Sequence, residues 1–355
     1  MTTPVAPFSI AGRAIGPGLP TYIIAELSAN HGQRYESAVR IVEAAKAAGA
    51  DAVKLQTYRP DTITIQSDAE PFRNPKGGLW EGKTLYDLYQ EAYTPWEWTP
   101  NLIALANSLG MDCFSSPFDF SAVDFLAGLD VPAFKVASFE LVDLPLIRRM
   151  ARTGKPMIMS TGMAYAEEID EGIAAAREGG ATELALLKCT SAYPSPPEAV
   201  NLRTIPGMVE RWGLPVGLSD HTDGEMVPVA AVALGACIVE KHITFSRSDP
   251  TADAAFSLEP DMFKTMVDAV RTIELAMGAA RFEPDPKEME SRRFRRSLFV
   301  VEDVKAGELL TEQNVRSIRP AAGLHTRHYE EVLGRRAATD IARATPLTWD
   351  LVEPA

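Results

Sequence analysis

The chain has 355 residues and a formal net charge of -13 at pH 7, with 46% hydrophobic and 23% charged residues. This is the composition of a soluble globular protein, which excludes a disordered chain, and no apolar run is long enough for a membrane helix. So negative a balance argues against nucleic acid as a partner. The three cysteines, Cys113, Cys189 and Cys237, each lie in an apolar run, the pattern of reduced, buried thiols. The first residues, MTTPVAPFSIAGRAIG, lack a basic stretch followed by an apolar one, so the expected location is the cytoplasm.

Eight short apolar runs follow in order: 22–28, 52–56, 111–117, 133–138, 157–161, 184–189, 215–221 and 237–244. They are rich in Val, Ile and Leu, as buried parallel strands are. Segments of helical period separate them, such as Tyr35–Ala48, Trp98–Leu109 and Ala166–Glu178. Gly49, Gly110, Gly154 and Gly179 stand where those helices should stop. Eightfold alternation of this kind predicts an α/β fold, a (β/α)8 TIM barrel, over residues 1–280. The stretch from the second run to the third, Tyr58–Pro95, is long and aromatic, and is expected to shape the substrate site. Residues 281–295 turn polar and read as a linker. Residues 296–355 carry a weak internal repeat, DVKAGELLTEQNV at 303–315 against DIARATPLTWDLV at 340–352, which predicts a small pseudosymmetric β-rich domain.

In such a barrel the active site lies at the C-terminal ends of the strands. Nearly every run turns polar there: Glu26, Lys54 and Gln56, Ser115 and Ser116, Lys135 and Ser138, Ser160 and Thr161, Lys188 and Thr190, Ser219 and His221, Glu240 and His242. Lysine is rarely buried without an anion, so Lys54, Lys135 and Lys188 together suggest a phosphate or carboxylate ligand. A Schiff-base lysine is the competing chemistry. His221 and His242 close neighbouring strands near Glu26 and could share a divalent cation.

The segments IIAELSANHG, DAVKLQTY, FSSPFD, FKVASFE, MIMSTGM, LLKCTSAYPSP, VGLSDHT and VEKHIT occur in that order. Together they resemble the sialic acid synthase family of nonulosonic acid synthases. The tail SLFVVEDVKAGELLTEQNVRSIRPAAG resembles that family's antifreeze-like (SAF) domain. The resemblance implies condensation of phosphoenolpyruvate with an N-acetylated amino sugar, with C–O cleavage, assisted by Mn or Mg, Co being also admitted. It implies His221 and His242 as metal ligands and Glu26 as the acid/base. It places phosphoenolpyruvate on Lys54, Ser116, Lys135, Ser138, Ser160 and Ser219. It places the sugar by Gln56, Glu140, Ser191, Tyr193 and Asp253, with Arg319 reaching the site of the partner in a domain-swapped homodimer. Ser191 stands where many members carry Asn. The SSPFD and CTSAYP forms, the ending ADAAFSLEP and the aromatic insertion resemble the pseudaminic acid synthase branch, with N-acetylneuraminic or legionaminic acid synthesis as the alternative. Tyr86, Tyr89, Tyr93, Trp96 and Trp98 are expected to offer its less hydroxylated sugar an apolar wall.

Overall fold

The computed structural model describes residues 5–77 and 79–354. The chain divides into two compact units, Met1–Gly278 and Ala279–Ala355. Unit one opens with a hairpin, β1 (Phe8–Ile10) and β2 (Arg13–Ile15). Phe8, Ile10 and Ile15 join the same apolar cluster as Tyr22 and Ile24 of the first barrel strand.

Eight parallel strands then close a barrel: β3 (Tyr22–Glu26), β4 (Ala52–Thr57), β5 (Asp112–Pro117), β6 (Phe134–Val136), β7 (Met157–Ser160), β8 (Leu184–Cys189), β9 (Val216–Asp220) and β10 (Ile238–His242), which pairs back onto β3. Each lies within or one residue beside an expected run. Burial on both faces makes these strands almost continuously apolar, which is why they are legible in sequence. The register sets Glu26 opposite both Lys54 and His242, and Ser219 opposite Glu240. Polar ends therefore arrive at one level of the barrel.

The helices pack outside the barrel. Tyr35–Ala47 and Ala166–Glu178 match the expected segments, and Thr99–Ser108 falls inside the third. Gly49, Gly110 and Gly154 adopt the left-handed conformation that ends a helix. Gly179 does not; Gly180 takes that role with φ 102°. Gly179 is needed for close packing instead, since a Cβ there would stand 2.5 Å from Ala151 Cβ. No helix among the described residues is long and apolar enough to cross a membrane.

Unit two begins with two short helical turns, Pro286–Met289 and Glu290–Phe294, within the expected linker. Strands β11 (Ser297–Val300) and β12 (Val315–Ile318) pair antiparallel. The repeat is structural. Val304 and Ile341, matching positions of its two halves, exchange backbone hydrogen bonds of 2.9 and 2.8 Å. Asp340 accepts from the Ala306 amide at 2.9 Å, as Asp303 accepts from Arg343 at 2.7 Å. Leu310 and Leu347 fill the small core from equivalent places. The halves differ at one strained position: Gly307 (φ 81°) corresponds to Ala344, which holds φ 69° despite its Cβ. Ala344→Gly should therefore stabilise the protein by about 0.5–1 kcal/mol, relief of the left-handed penalty outweighing the freer unfolded chain. Chemical denaturation measures this, and a destabilised variant would contradict it.

Candidate active site

Side chains alternate along a strand, so residues two apart share a face. Lys54 and Gln56, Ser219 and His221, and Glu240 and His242 each obey that spacing. They meet Glu26, Ser116, Lys135 and Ser160 in a buried polar cluster inside the mouth of the barrel. Lys54 Nζ lies 2.6 Å from Glu26 Oε2, donates to Ser116 Oγ at 3.3 Å and stands 3.9 Å from Glu240. Lys135 Nζ donates to Ser160 Oγ at 2.7 Å and is also 3.9 Å from Glu240. Ser219 donates to Glu240 at 3.0 Å, and Gln56 to Glu26 at 3.1 Å. Glu240 Oε2 accepts no hydrogen bond from the described residues.

Two cations and two carboxylates thus share a buried pocket, where each shifts the others. Burial pushes the Glu26 carboxyl up to about 6, against the pull of Lys54 and with the push of Glu240. Burial would raise Glu240 too, but Lys135 and Lys54 outweigh it and hold that carboxyl below its ordinary value. Burial would lower Lys54, yet Glu240 and Glu26 reverse the sign and raise it. For Lys135 burial prevails over the attraction of Glu240, and its pKa falls.

Lys188 does not join them. Cys189 is the β8 residue whose charge Lys54 and Lys135 feel. The alternation turns Lys188 aside, to the Cys189 carbonyl at 2.8 Å and Thr190 Oγ1 at 3.0 Å. The expected trio of lysines is therefore a pair. Ser115, by the same parity, faces Thr57 at 2.7 Å. A lysine not anticipated, Lys241, is fully buried beside Asp220 at 2.5 Å.

On the β8–β10 side, Tyr193, His221, His242 and Phe256 form an aromatic group. The His221 and His242 ring centroids are 5.3 Å apart, and those of Tyr193 and His221 4.4 Å. Phe256 backs His242 at 5.0 Å. Asp253 Oδ2 accepts from Ser28, lies 4.0 Å from His242 Nδ1, and is raised in pKa by burial. Ser138 and Ser191 hydroxyls are 2.9 Å apart, with Cys189 Sγ 3.9 Å from Ser191. Burial and the neighbouring His221 drive His242 well below its ordinary pKa, leaving a neutral imidazole. Its Nδ1 is buried without a partner. Burial would also lower His221, but contact with Cys189 raises it. His221 Nδ1 meets the Thr190 carbonyl at 3.0 Å, which orients the ring. Among the described residues no group of three or more His, Cys, Asp and Glu has metal-binding spacing. A two-imidazole site completed by water or substrate oxygens remains compatible with the orphaned Nδ1.

Glu140 follows β6, and burial raises its carboxyl to about 7, opposed by Lys135. Between its ordinary value of 4.5 and about 7 the folded state keeps a proton that the unfolded chain releases, so this group costs stability as pH rises. Glu140→Gln should melt higher than the parent at pH 8, the gap closing toward pH 4.5. A gap unchanged with pH would contradict that.

The insertion holds helices Pro60–Ile63 and Leu85–Ala92 and a 3-10 turn at Trp96–Trp98. Its aromatics do not form one wall. Trp96 stacks on Phe125 at 4.7 Å, and Trp98 packs edge-on against His31 and Tyr35. Tyr89 packs on Tyr58 and feels the charge of Glu140. Arg319 lies exposed in unit two, directly after β12. Three residues carried no assigned role in the sequence reading: Glu240, the common partner of both lysines; Cys189; and Trp80. Strand parity with His242 and Ser191 would have found the first two.

Residues 41–282 match the NeuB family profile, and residues 295–353 that of the SAF domain. The pseudaminic acid synthase of Campylobacter jejuni is 47% identical over 90% of this chain and 93% of its own. That of Helicobacter pylori is 45% identical over 94% and 98%. Among solved structures, N-acetylneuraminic acid synthetase of Leptospira borgpetersenii in complex with citrate superposes with a TM-score of 0.71 and 28% identity, over 81% of this chain and 95% of that one.

Proposed function

This chain belongs to the NeuB family, and from that we infer that it condenses phosphoenolpyruvate with 2,4-diacetamido-2,4,6-trideoxy-β-L-altropyranose and water to give pseudaminic acid and phosphate. One observation carries the choice of sugar. Identity is 45–47% to the two pseudaminic acid synthases but 28% to the N-acetylneuraminic acid synthetase. The barrel supplies what this transferase reaction needs.

Phosphoenolpyruvate is a small trianion, and Lys54, Lys135 and the hydroxyls of Ser116, Ser138, Ser160 and Ser219 are its binding set. The lysines hold phosphate and carboxylate so that C3 of the enol faces the sugar aldehyde, which supplies positioning. The C2=C3 electron pair forms a C–C bond to the aldehyde carbon as the aldehyde π bond breaks, leaving C2 electron-poor and the sugar oxygen as an alkoxide, which gains the proton that Glu26 removes from water. Water adds at C2, and Glu26, raised to about 6, takes up its proton. The bond from C2 to the phosphate oxygen then breaks, and the lysine charges stabilise the departing anion. Gln56 orients Glu26; Glu140, Ser191, Tyr193 and Asp253 hold the sugar. His221 and His242 are the residues that would hold Mn or Mg, a Lewis acid for the aldehyde oxygen.

Around the mouth, Phe120, Phe139, Met163, Tyr165 and Met226 are all more than half exposed. Such a rim supports a homodimer in which the partner covers the barrel, Arg319 of one subunit reaching the sugar held by the other.

The test is phosphate release from phosphoenolpyruvate with Mn across three sugars: the diacetamido-trideoxy-L-altrose, its D-mannose counterpart and N-acetylmannosamine. Turnover with the first alone is expected; turnover with a mannose-type sugar would displace the substrate assignment. In the same assay a chelator should abolish turnover. Arg319→Ala should raise the sugar KM and spare that of phosphoenolpyruvate; an unchanged sugar KM would remove Arg319 from the site.

A further inference from the structure

The excursion between β4 and β5 reaches across the barrel mouth. Arg73 and Thr84 pair antiparallel, and the Asn74 side chain donates to the Lys83 and Thr84 carbonyls at 3.0 and 3.4 Å. Between them stands Trp80, half-buried. Its Nε1 donates to the Ala252 carbonyl at 3.2 Å, 172 positions along the chain in the loop after β10. Its ring centroid lies 6.2 Å from that of Tyr193. Both anchors belong to the aromatic side of the site: Ala252 precedes Asp253, and Tyr193 packs on His221 and Phe256. Neither of these two partners belongs to the lysine pair.

We infer that Trp80 is a specificity-determining residue for the acceptor sugar, its indole covering the sugar end of the site and packing on the deoxy carbon and acetamido methyls. This rests on the reaction proposed above. The chemistry follows from the hydrogen bond already made. With Nε1 committed to Ala252, the indole offers only apolar surface. A hydroxyl placed against it would lose its water without gaining a partner, whereas a methyl or methylene gains buried contact. The cover therefore favours a less hydroxylated sugar and disfavours a hydroxyl-rich one.

Steady-state kinetics of Trp80→Ala and Trp80→Phe beside the parent, over the same three sugars, test this. Trp80→Ala should raise the KM of the preferred sugar at least about tenfold. The KM of phosphoenolpyruvate should stay within about twofold, and the preference over N-acetylmannosamine should narrow. Trp80→Phe, which keeps an apolar ring, should retain most of the affinity. An unchanged sugar KM in Trp80→Ala, or equal rises for both substrates, would overturn the inference. If the parent prefers a mannose-type sugar, the reaction assignment fails, while Trp80 still stands or falls on the KM of that sugar.

Discussion

Lys54→Met should cut kcat/KM for phosphoenolpyruvate by about 10³-fold. Among the described residues, Lys54 is the one cation that touches Glu26 directly, at 2.6 Å, while also reaching Ser116 and Glu240. Methionine keeps most of the volume and removes the charge. The bound anion then loses an ammonium in a buried pocket, where Coulomb attraction is strong. A second effect follows for the free enzyme. Glu26 and Glu240 are left sharing Lys135, and breaking a buried pair on one side costs about 3–5 kcal/mol while the carboxylates stay ionised. Protonation offers them an escape, and Glu26 already leans toward its neutral form. The Glu26 carboxyl therefore rises further above its unfolded value, and the Glu240 carboxyl rises from below its own. The loss of stability should be largest at pH 8 and shrink as pH falls toward about 6 and below, as first Glu26 and then Glu240 takes up a proton in the variant. Calorimetric titration with phosphoenolpyruvate and thermal melts at two pH values check both parts. Parental affinity in Lys54→Met would remove this lysine from the anion site.

Gly162→Ala should lower kcat/KM by about 10²-fold without touching any ionisable group. Gly162 follows β7 with φ 47°. A methyl there would overlap Cβ of Ser138 and stand 2.8 Å from Ser191 Oγ. The left-handed backbone costs about 1 kcal/mol for alanine, and forced movement of packed neighbours about 1–3 kcal/mol more. Ser138 and Ser191 hydroxyls, 2.9 Å apart, must move for the methyl to fit. One belongs to the anion set and the other to the sugar set, so their displacement spoils the approach of the two reactants. A variant with parental kinetics and a lower melting temperature would mean that this pair is packing only.

The barrel was legible because parallel strands covered on both faces must be apolar through their length, and their polar ends then stand out. Glu26, Lys54, Lys135, Ser219, His221 and His242 were visible for that reason. The lysine count failed at Lys188, where a flanking apolar run says nothing about which face a side chain takes. Counting in twos from Cys189 would have corrected it. The repeat in the last sixty residues was legible as a pattern, yet reciprocal pairing of Val304 with Ile341 is set by the tertiary structure.

The amino-acid sequence by itself determined the strand and helix order, the parity that gathers polar side chains at one end, and the family. Local physics suffices there: periodicity of burial and i, i+2 spacing act along the chain. Only the tertiary structure decided that Glu240 sits between Lys54 and Lys135, that Trp96 and Trp98 turn to packing, and that Trp80 crosses to Ala252. Those are contacts between strands and loops 29 to 186 positions apart, and barrel closure, rather than spacing along the chain, sets which of them meet.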